Sequence, residues 1–470
     1  MNEISRQQSN GKSQQFLVAI IMNLLTVSGG ISCGWPSPVI PKLRSSDSPA
    51  VGDAPMNDEQ ISWISSLLPI GSLLITPFCG ILSEPLGRKW FTYLAAISHI
   101  ASWLLIMLAQ NHFCLYIARL FTGVSIAMTI FILPMYVSEI ACEDIRGALG
   151  GLMMFSGNLG VLIAYVAGAH LSYRLFTGLS LAFPLLFLVA FAPMPESPTF
   201  LMRRNRHLEA YKSLMFLRGN NKTLVEPLFN RLMTQTKISD SASKTIFPEY
   251  FNDRATRMGL IISFVLLGGQ QLSGILAMLS YAETIFQRTG SLISSQTAPM
   301  IIGVIQIFAS YVSTMLMDRT GRRRLTLISC FGMVMSHLLF GLFFNLQRHD
   351  YDLSSISWLP LVALSTYIAF YCLGVGPVPF VFTSEVFRFD VSSSATTLCY
   401  VFYWTVSSVA VKTFGLAMDV LGIDVCFFVL ASFCAVCLIL SYCLMPETKG
   451  RTREDIVDEL GKHRRDEIEC

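Results

Sequence analysis

Gly80-Ile81-Leu82-Ser83-Glu84-Pro85-Leu86-Gly87-Arg88-Lys89 is a short charged turn between two apolar runs, and Asp318-Arg319-Thr320-Gly321-Arg322-Arg323 repeats its order later in the chain. In both, a glycine lets the backbone turn tightly beside a neighbouring helix, and two basic residues follow. The same doubling appears further out. Glu139-Ile140-Ala141, with Arg146-Gly147 beyond it, is matched by Glu385-Val386-Phe387. Pro195-Glu196-Ser197-Pro198 closes one group of apolar runs and Pro446-Glu447-Thr448-Lys449-Gly450 closes the next. Three acidic signatures at equivalent points mark two repeated halves, the way rocking transporters are built.

The runs between these signatures are too apolar for a soluble protein. Of 470 residues, 53% are hydrophobic and only 14% charged, with a mean hydropathy of +0.54; a soluble fold of this length needs more polar surface. Charge is also segregated. Residues 16–40 and 325–346 carry none, while 199–257 are dense with Lys and Arg. Lipid imposes this pattern, because backbone groups must pair within helices and charges are driven to water. The net charge of +3 gives no basic groove, so no nucleic-acid partner is expected.

A helix needs about 20 apolar residues to cross the hydrocarbon core. Candidate spans fall at 16–40, 60–82, 91–110, 113–137, 148–170, 175–193, 257–285, 297–317, 325–346, 357–382, 394–416 and 425–445. The sequence thus predicts an all-α membrane protein of twelve transmembrane helices in two six-helix halves. Its parts are an N-tail (1–15), a first half (16–194), a helical linker (195–256), a second half (257–446) and a C-tail (447–470). In the linker, Leu208, Tyr211, Leu214, Met215 and Leu217 recur at helical spacing. The tails, the linker and alternate loops hold roughly 27 of the 34 Lys and Arg, which puts both termini in the cytoplasm. Asn221-Lys222-Thr223 then faces the cytosol and carries no glycan; endoglycosidase-sensitive mass there would overturn this topology.

The repeated charges suggest a cytoplasmic latch made of Glu84, Arg88, Glu139, Arg146, Glu196, Asp318, Arg322, Glu385 and Glu447. Arg88 and Arg322 are free by sequence to pair with any of the four acids Glu139, Glu196, Glu385 and Glu447. Of the 12 cysteines, most lie in apolar runs, where a thiol acts as a small hydrophobe. Cys434 and Cys437 have i, i+3 spacing but no His or second Cys pair nearby, so no metal site is read. No nucleophile–base constellation and no nucleotide loop appears, which leaves no enzyme and no cofactor.

Together, Gly87-Arg88-Lys89, Pro134-Met135-Tyr136-Val137-Ser138-Glu139, Pro195-Glu196-Ser197-Pro198, Gln270-Gln271-Leu272-Ser273-Gly274, Gly376-Pro377-Val378-Pro379 and Pro446-Glu447-Thr448-Lys449-Gly450 resemble the sugar porter family of the major facilitator superfamily. Within it, Ser156-Gly157-Asn158-Leu159-Gly160, Gly34-Trp35 and Lys412-Thr413-Phe414 resemble the insect facilitated trehalose transporter branch. The resemblance implies the major facilitator fold and a sugar held mid-membrane by amides and aromatic faces, chemistry that suits hydroxyls and C–H faces. It assigns Gln270 and Gln271 to sugar binding, with Trp404 retained and Tyr281 at the outer gate. Where the family carries further amides and aromatics, this chain has Met154, Leu276, Ser280, Gln306, Phe380 and Tyr403; Asn158, Gln306 and Tyr403 are the candidates to compensate. Arg388, three residues from Glu385, stands in for a missing latch arginine if the helix continues.

Residues 16–46 contain no Asp or Glu, so span 1 lacks the carboxylate of proton-coupled relatives. Arg119, read as near the cytoplasmic side of span 4, and Lys412 are the other ionisable groups within spans, and His99, His170 and His337 read as packing residues. The expectation is uniport of trehalose or a related sugar across the plasma membrane. A non-transporting sensor of the same fold and a proton-coupled symporter are the rivals.

Overall fold

The computed structural model describes residues 2–45, 51–52, 54–241, 253–290 and 294–461, and no strand occurs among them. The helices are α1 (Asn2–Gly34), α2 (Pro36–Arg44), α3 (Asp58–Leu86), α4 (Arg88–Met107), α5 (His112–Ile140), α6 (Glu143–His170) and α7 (Tyr173–Phe191). The short helices α8 (Pro198–Arg203), α9 (His207–Leu217) and α10 (Lys222–Ser241) follow. The second half holds α11 (Arg254–Leu272), α12 (Ile275–Arg288), α13 (Thr297–Thr320), α14 (Arg322–Arg348), α15 (Leu359–Leu373), α16 (Val378–Val386), α17 (Phe389–Val420) and α18 (Ile423–Leu444), and α19 (Arg453–Gly461) ends the described chain.

Among the described residues, twelve helical segments are long and apolar enough to cross a membrane. Nine are single helices. The other three are broken: α1 into α2 at Gly34-Trp35, α11 into α12 at Ser273-Gly274, and α15 into α16 at Gly374–Pro377. Side chains start several helices by accepting orphan N–H groups. Asn57 and Gln60 form a reciprocal capping box on α3, and Asn111 caps α5 through Cys114 N–H at 3.0 Å. Most spans extend beyond the apolar limits read from sequence, because polar residues continue a helix once it leaves hydrocarbon.

Each half packs on itself in the same way, α3 on α5 and α1 on α6 in the first, α13 on α15 and α11 on α17 in the second. Small residues let backbones touch. A Cβ on Gly71 or Gly123 would overlap the facing helix's carbonyl, Leu120 O or Leu68 O, and one on Gly160 would overlap Val27 O. The halves then meet along α3 with α17, α6 with α13 and α2 with α12.

The linker is helical, as its periodicity predicts, but its buried face differs. Ala210, Ser213, Leu214 and Leu217 are buried, whereas Leu208 is 69% exposed. Asn221 is itself buried and accepts from Thr223 N–H at 3.1 Å and the Thr223 hydroxyl at 2.6 Å. Its amide is thereby committed to capping α10.

Candidate functional site

The break in span 7 puts polar groups where an unbroken helix would hide them. From Met258 to Gly269 the α11 helix carries Ser263 as its one polar side chain, then Gln270 and Gln271, and ends; Gly274 then takes φ +84°, a left-handed turn that a Cβ would crowd against Leu430. Gln270 Nε2 donates to Tyr371 Oη at 2.9 Å and to Gly376 O at 3.0 Å. The amide of one broken span is therefore fixed on the break of another. Both of its N–H groups are used within the protein, and Oε1 has no hydrogen-bond partner among the described residues. Behind it, Tyr367 Oη donates to Ser273 O at 3.0 Å and His337 Nε2 lies 3.1 Å from the same oxygen.

The expected sugar-site residues fall into three contact groups. Gln270 joins span 10 as described. Gln271 is buried beside Tyr403, whose ring packs edge-on against Phe380 at 5.7 Å and against Trp404 at 4.8 Å. Trp404 is buried against Leu68, Ile126 and Ala127 of the first half. The third group bridges the halves: Gln306 Nε2 donates to Asn158 Oδ1 at 2.7 Å, and Asn158 Nδ2 donates to Ser310 Oγ at 2.5 Å. Gln306 Oε1 also lacks a partner among the described residues. Tyr281 is buried on α12, with its ring 6.1 Å from Phe414 and its hydroxyl against Gly415 of α17. Sequence reading missed Tyr371, Gly376 and Ser310. The signal for Tyr371 was its place five residues before Gly376-Pro377, where a helix must end.

The charged turns form two copies of one device. Arg88 donates to Glu139 from Nε at 3.1 Å and Nη2 at 2.8 Å, and the Ser197 hydroxyl donates to the same carboxylate. Glu196 accepts the N–H groups of Arg88, Lys89 and Ser197 at 3.1, 3.0 and 2.8 Å. In the second half Arg322 Nη2 donates to Glu385 at 3.2 Å, and the Thr448 hydroxyl donates to the same carboxylate at 2.7 Å. Glu447 accepts the N–H groups of Arg322, Arg323 and Lys449 at 2.9, 3.2 and 3.0 Å. Glu196 and Glu447 thus sit at the N-termini of α4 and α14, where the helix dipole favours a carboxylate. Burial pushes Glu196 above the usual carboxylate range, and the three N–H bonds pull it back.

Every one of these bonds stays within its own half, which narrows the wider choice of partners that the sequence left open. Glu84 is exposed, and its backbone carbonyl accepts from Arg204 at 3.0 Å. The side chains of Arg146 and Asp318 lie outside the described ones. Two placements differ from expectation. Phe387 and Arg388 are extended, with ψ 143° and 152°, so the helix stops and Arg388 does not share a helical face with Glu385. Arg119 lies at the opposite end of α5 from Glu139: twenty residues of helix separate them, about 30 Å. There it is fully buried, donating to Ile64 O at 3.0 Å and Ser32 O at 2.8 Å and lying over the Trp35 ring.

The chain as a whole is similar to known proteins. Residues 9–460 match the family described as sugar (and other) transporters. The chain belongs to the sugar porter family of the major facilitator superfamily. It is a multi-pass membrane sugar transporter. It is 31% identical over 446 residues to the facilitated trehalose transporter Tret1 of Bombyx mori, covering 95% of this chain and 86% of that protein. To the Anopheles gambiae protein of the same name it is 32% identical over 453 residues, 96% of this chain and 56% of the relative. Its fold is similar to that of the xylose transporter XylE from E. coli in a partially occluded inward open conformation, with a TM-score of 0.78 at 20% identity, covering 94% of this chain and all of that one.

Proposed function

We propose that this transporter is a facilitator that moves trehalose or a related sugar down its gradient by alternating access. The observation that carries this reading is the pair of buried amides, Gln270 and Gln306, each with its N–H side bonded to protein and its carbonyl oxygen without a partner among the described residues. A buried acceptor without a donor is costly, and sugar hydroxyls supply donors. The aromatic group of Phe380, Tyr403 and Trp404 offers a face for a sugar's C–H surface. The trehalose assignment draws on the named relatives. Uniport draws on a first span without Asp or Glu.

In this reading both termini are cytoplasmic, the protein acts in the plasma membrane, and the charged turns lie at the cytoplasmic face. The reconstituted protein should take up labelled trehalose or glucose down its gradient, with no accumulation driven by a proton gradient, and Gln270→Ala should strongly reduce uptake at low sugar concentration. Sugar binding without flux would favour a sensor instead, and accumulation against a gradient would favour a symporter.

A further inference from the structure

At the end of the bundle opposite the charged turns, α12 of the second half closes against α2 of the first, and one carboxylate is trapped in that seam. Glu283 is 6% exposed, and its backbone N–H donates across the seam to Ser37 Oγ at 3.0 Å. No described residue donates a hydrogen bond to its carboxylate. The basic group that acts on it is Lys42 of α2, yet Lys42 Nζ is spent on Gly168 O at 2.7 Å and Leu171 O at 3.5 Å, at the end of α6.

Other charges around the seam are already paired. Arg44 of α2 holds Asp58, Arg288 of α12 itself holds Asp419 of α17, and Arg348 of α14 faces Asp424. Lys412 of α17 donates to Ser62 Oγ at 2.7 Å and lies 3.9 Å over the Trp63 ring. From α1 comes Cys33; from α6 come Tyr165, which donates to Leu279 O at 3.1 Å, and the exposed His170. The adjoining turns of α11 and α13 carry no ionisable group.

We propose that Glu283 is a proton-binding site of the outer gate, filled when the gate closes and emptied to the same solution when it reopens. Closure moves the carboxylate from water into a seam that offers it no donor, a penalty the protonated acid does not carry. Closing therefore takes one proton from the outer solution, and reopening returns it to that side. The proton never crosses the membrane, so outer pH sets the fraction of closed gates without driving sugar uphill. By linkage, acidifying the outside favours the closed gate, by up to about tenfold in the closed-to-open ratio per pH unit for one proton.

This inference rests on the carrier reading and on its orientation. The test is zero-trans uptake in proteoliposomes with the inside clamped at pH 7.5 and the outside stepped from 8 to 5.5. The apparent KM for outside sugar should rise as outer pH falls. Glu283→Gln, neutral at every pH, should flatten that dependence near the acid value, and Lys42→Met should move the midpoint to higher pH. Hydrogen exchange of residues 278–286, compared between wild type and Glu283→Gln at equal pH, reads the gate without transport: the wild type should be more open at pH 8 and should match the variant at pH 5.5. A pH dependence retained in Glu283→Gln, no dependence in the wild type, or identical exchange at all pH values would each overturn the proposal. Absence of uptake with the exchange difference intact would sink the carrier reading alone. In the converse run, with the outside clamped and the inside stepped, a pH effect found there and absent from the first run would overturn the outer-gate assignment.

Discussion

A glutamine side chain has four hydrogen-bonding positions, and its usefulness to a ligand depends on which the protein has already filled. Tyr371 and Gly376 fill the donor side of Gln270, so the residue presents an acceptor in a fixed direction. Tyr371 is in this sense a positioning residue. Gln270→Ala should raise KM for the transported sugar by about tenfold or more, since hydrogen bonds contribute about 0.5–1.5 kcal/mol each and a buried unpaired group costs more. Tyr371→Phe should raise KM by about threefold while leaving maximal uptake nearly unchanged, because one of the two anchors remains. A Tyr371→Phe carrier with wild-type KM would show that Gly376 O suffices to orient the amide. The sequence made Gln270 legible, because two adjacent glutamines inside an apolar span need an explanation. Its fixing partner is 101 residues away, a distance that only the folded chain closes. Glu283 was passed over for a related reason: it lies near the end read for span 7, where a charge is unremarkable in lipid-facing sequence, and burial by the other half cannot be seen from one helix.

Elements were the most readable level. Hydropathy located twelve spans, since length and lack of charge suffice to mark them. The breaks within spans 1, 7 and 10 were not readable as breaks, because a glycine in an apolar run serves equally for close packing and for a turn. Gly34, Gly274 and Gly374 become breaks only through the helices they meet. Arg119 was misplaced against the orientation itself: with a cytoplasmic N-terminus the fourth span runs from outside to inside, so residue 119 belongs near its outer end. The charged turns allow a sharper test. Gly87 and Gly321 have φ +85° and +95°, and a Cβ on either would stand 2.5 Å from the carboxylate of Glu196 or Glu447. Gly87→Ala and Gly321→Ala should each destabilise the detergent-solubilised protein by about 1–3 kcal/mol for the extended positive-φ backbone alone, at ψ 168° and 155°, with the carboxylate clash in addition. Gly80→Ala is the control: it lies within α3 with nothing within 4 Å of its Cβ, so the change should be neutral or stabilising by up to about 1 kcal/mol. Equal thermal shifts for all three would show that the turn geometry is not what these glycines supply.

For the whole molecule, the question is what the doubled charge device does when the halves rock. Its named bonds lie within one half, tying the α3–α4 turn to the end of α5 and to the segment after α7, and likewise the α13–α14 turn to α16 and to the segment after α18. A device of this kind holds each half rigid so that the two can move as bodies; a lock between halves would instead bond across them. The two roles predict different things. Breaking a lock shifts the balance of open and closed states and leaves stability nearly intact. Breaking a rigid corner lowers stability first, and transport falls with it. The copies also differ in burial: the Arg88 and Glu139 side chains are 6% and 13% exposed, and those of Arg322 and Glu385 are 14% and 28%. Removing one partner of a buried pair costs about 3–5 kcal/mol, while better solvated pairs are worth about 1 kcal/mol or less. Arg88→Ala should therefore lower the thermal unfolding temperature well below that of Arg322→Ala, and a sugar that protects against unfolding should restore part of the loss. Thermal unfolding followed by tryptophan fluorescence, run beside uptake on the same preparations, separates the two roles. Lost uptake with unchanged unfolding temperature in both variants would make the charged turns a lock between states rather than a brace within each half.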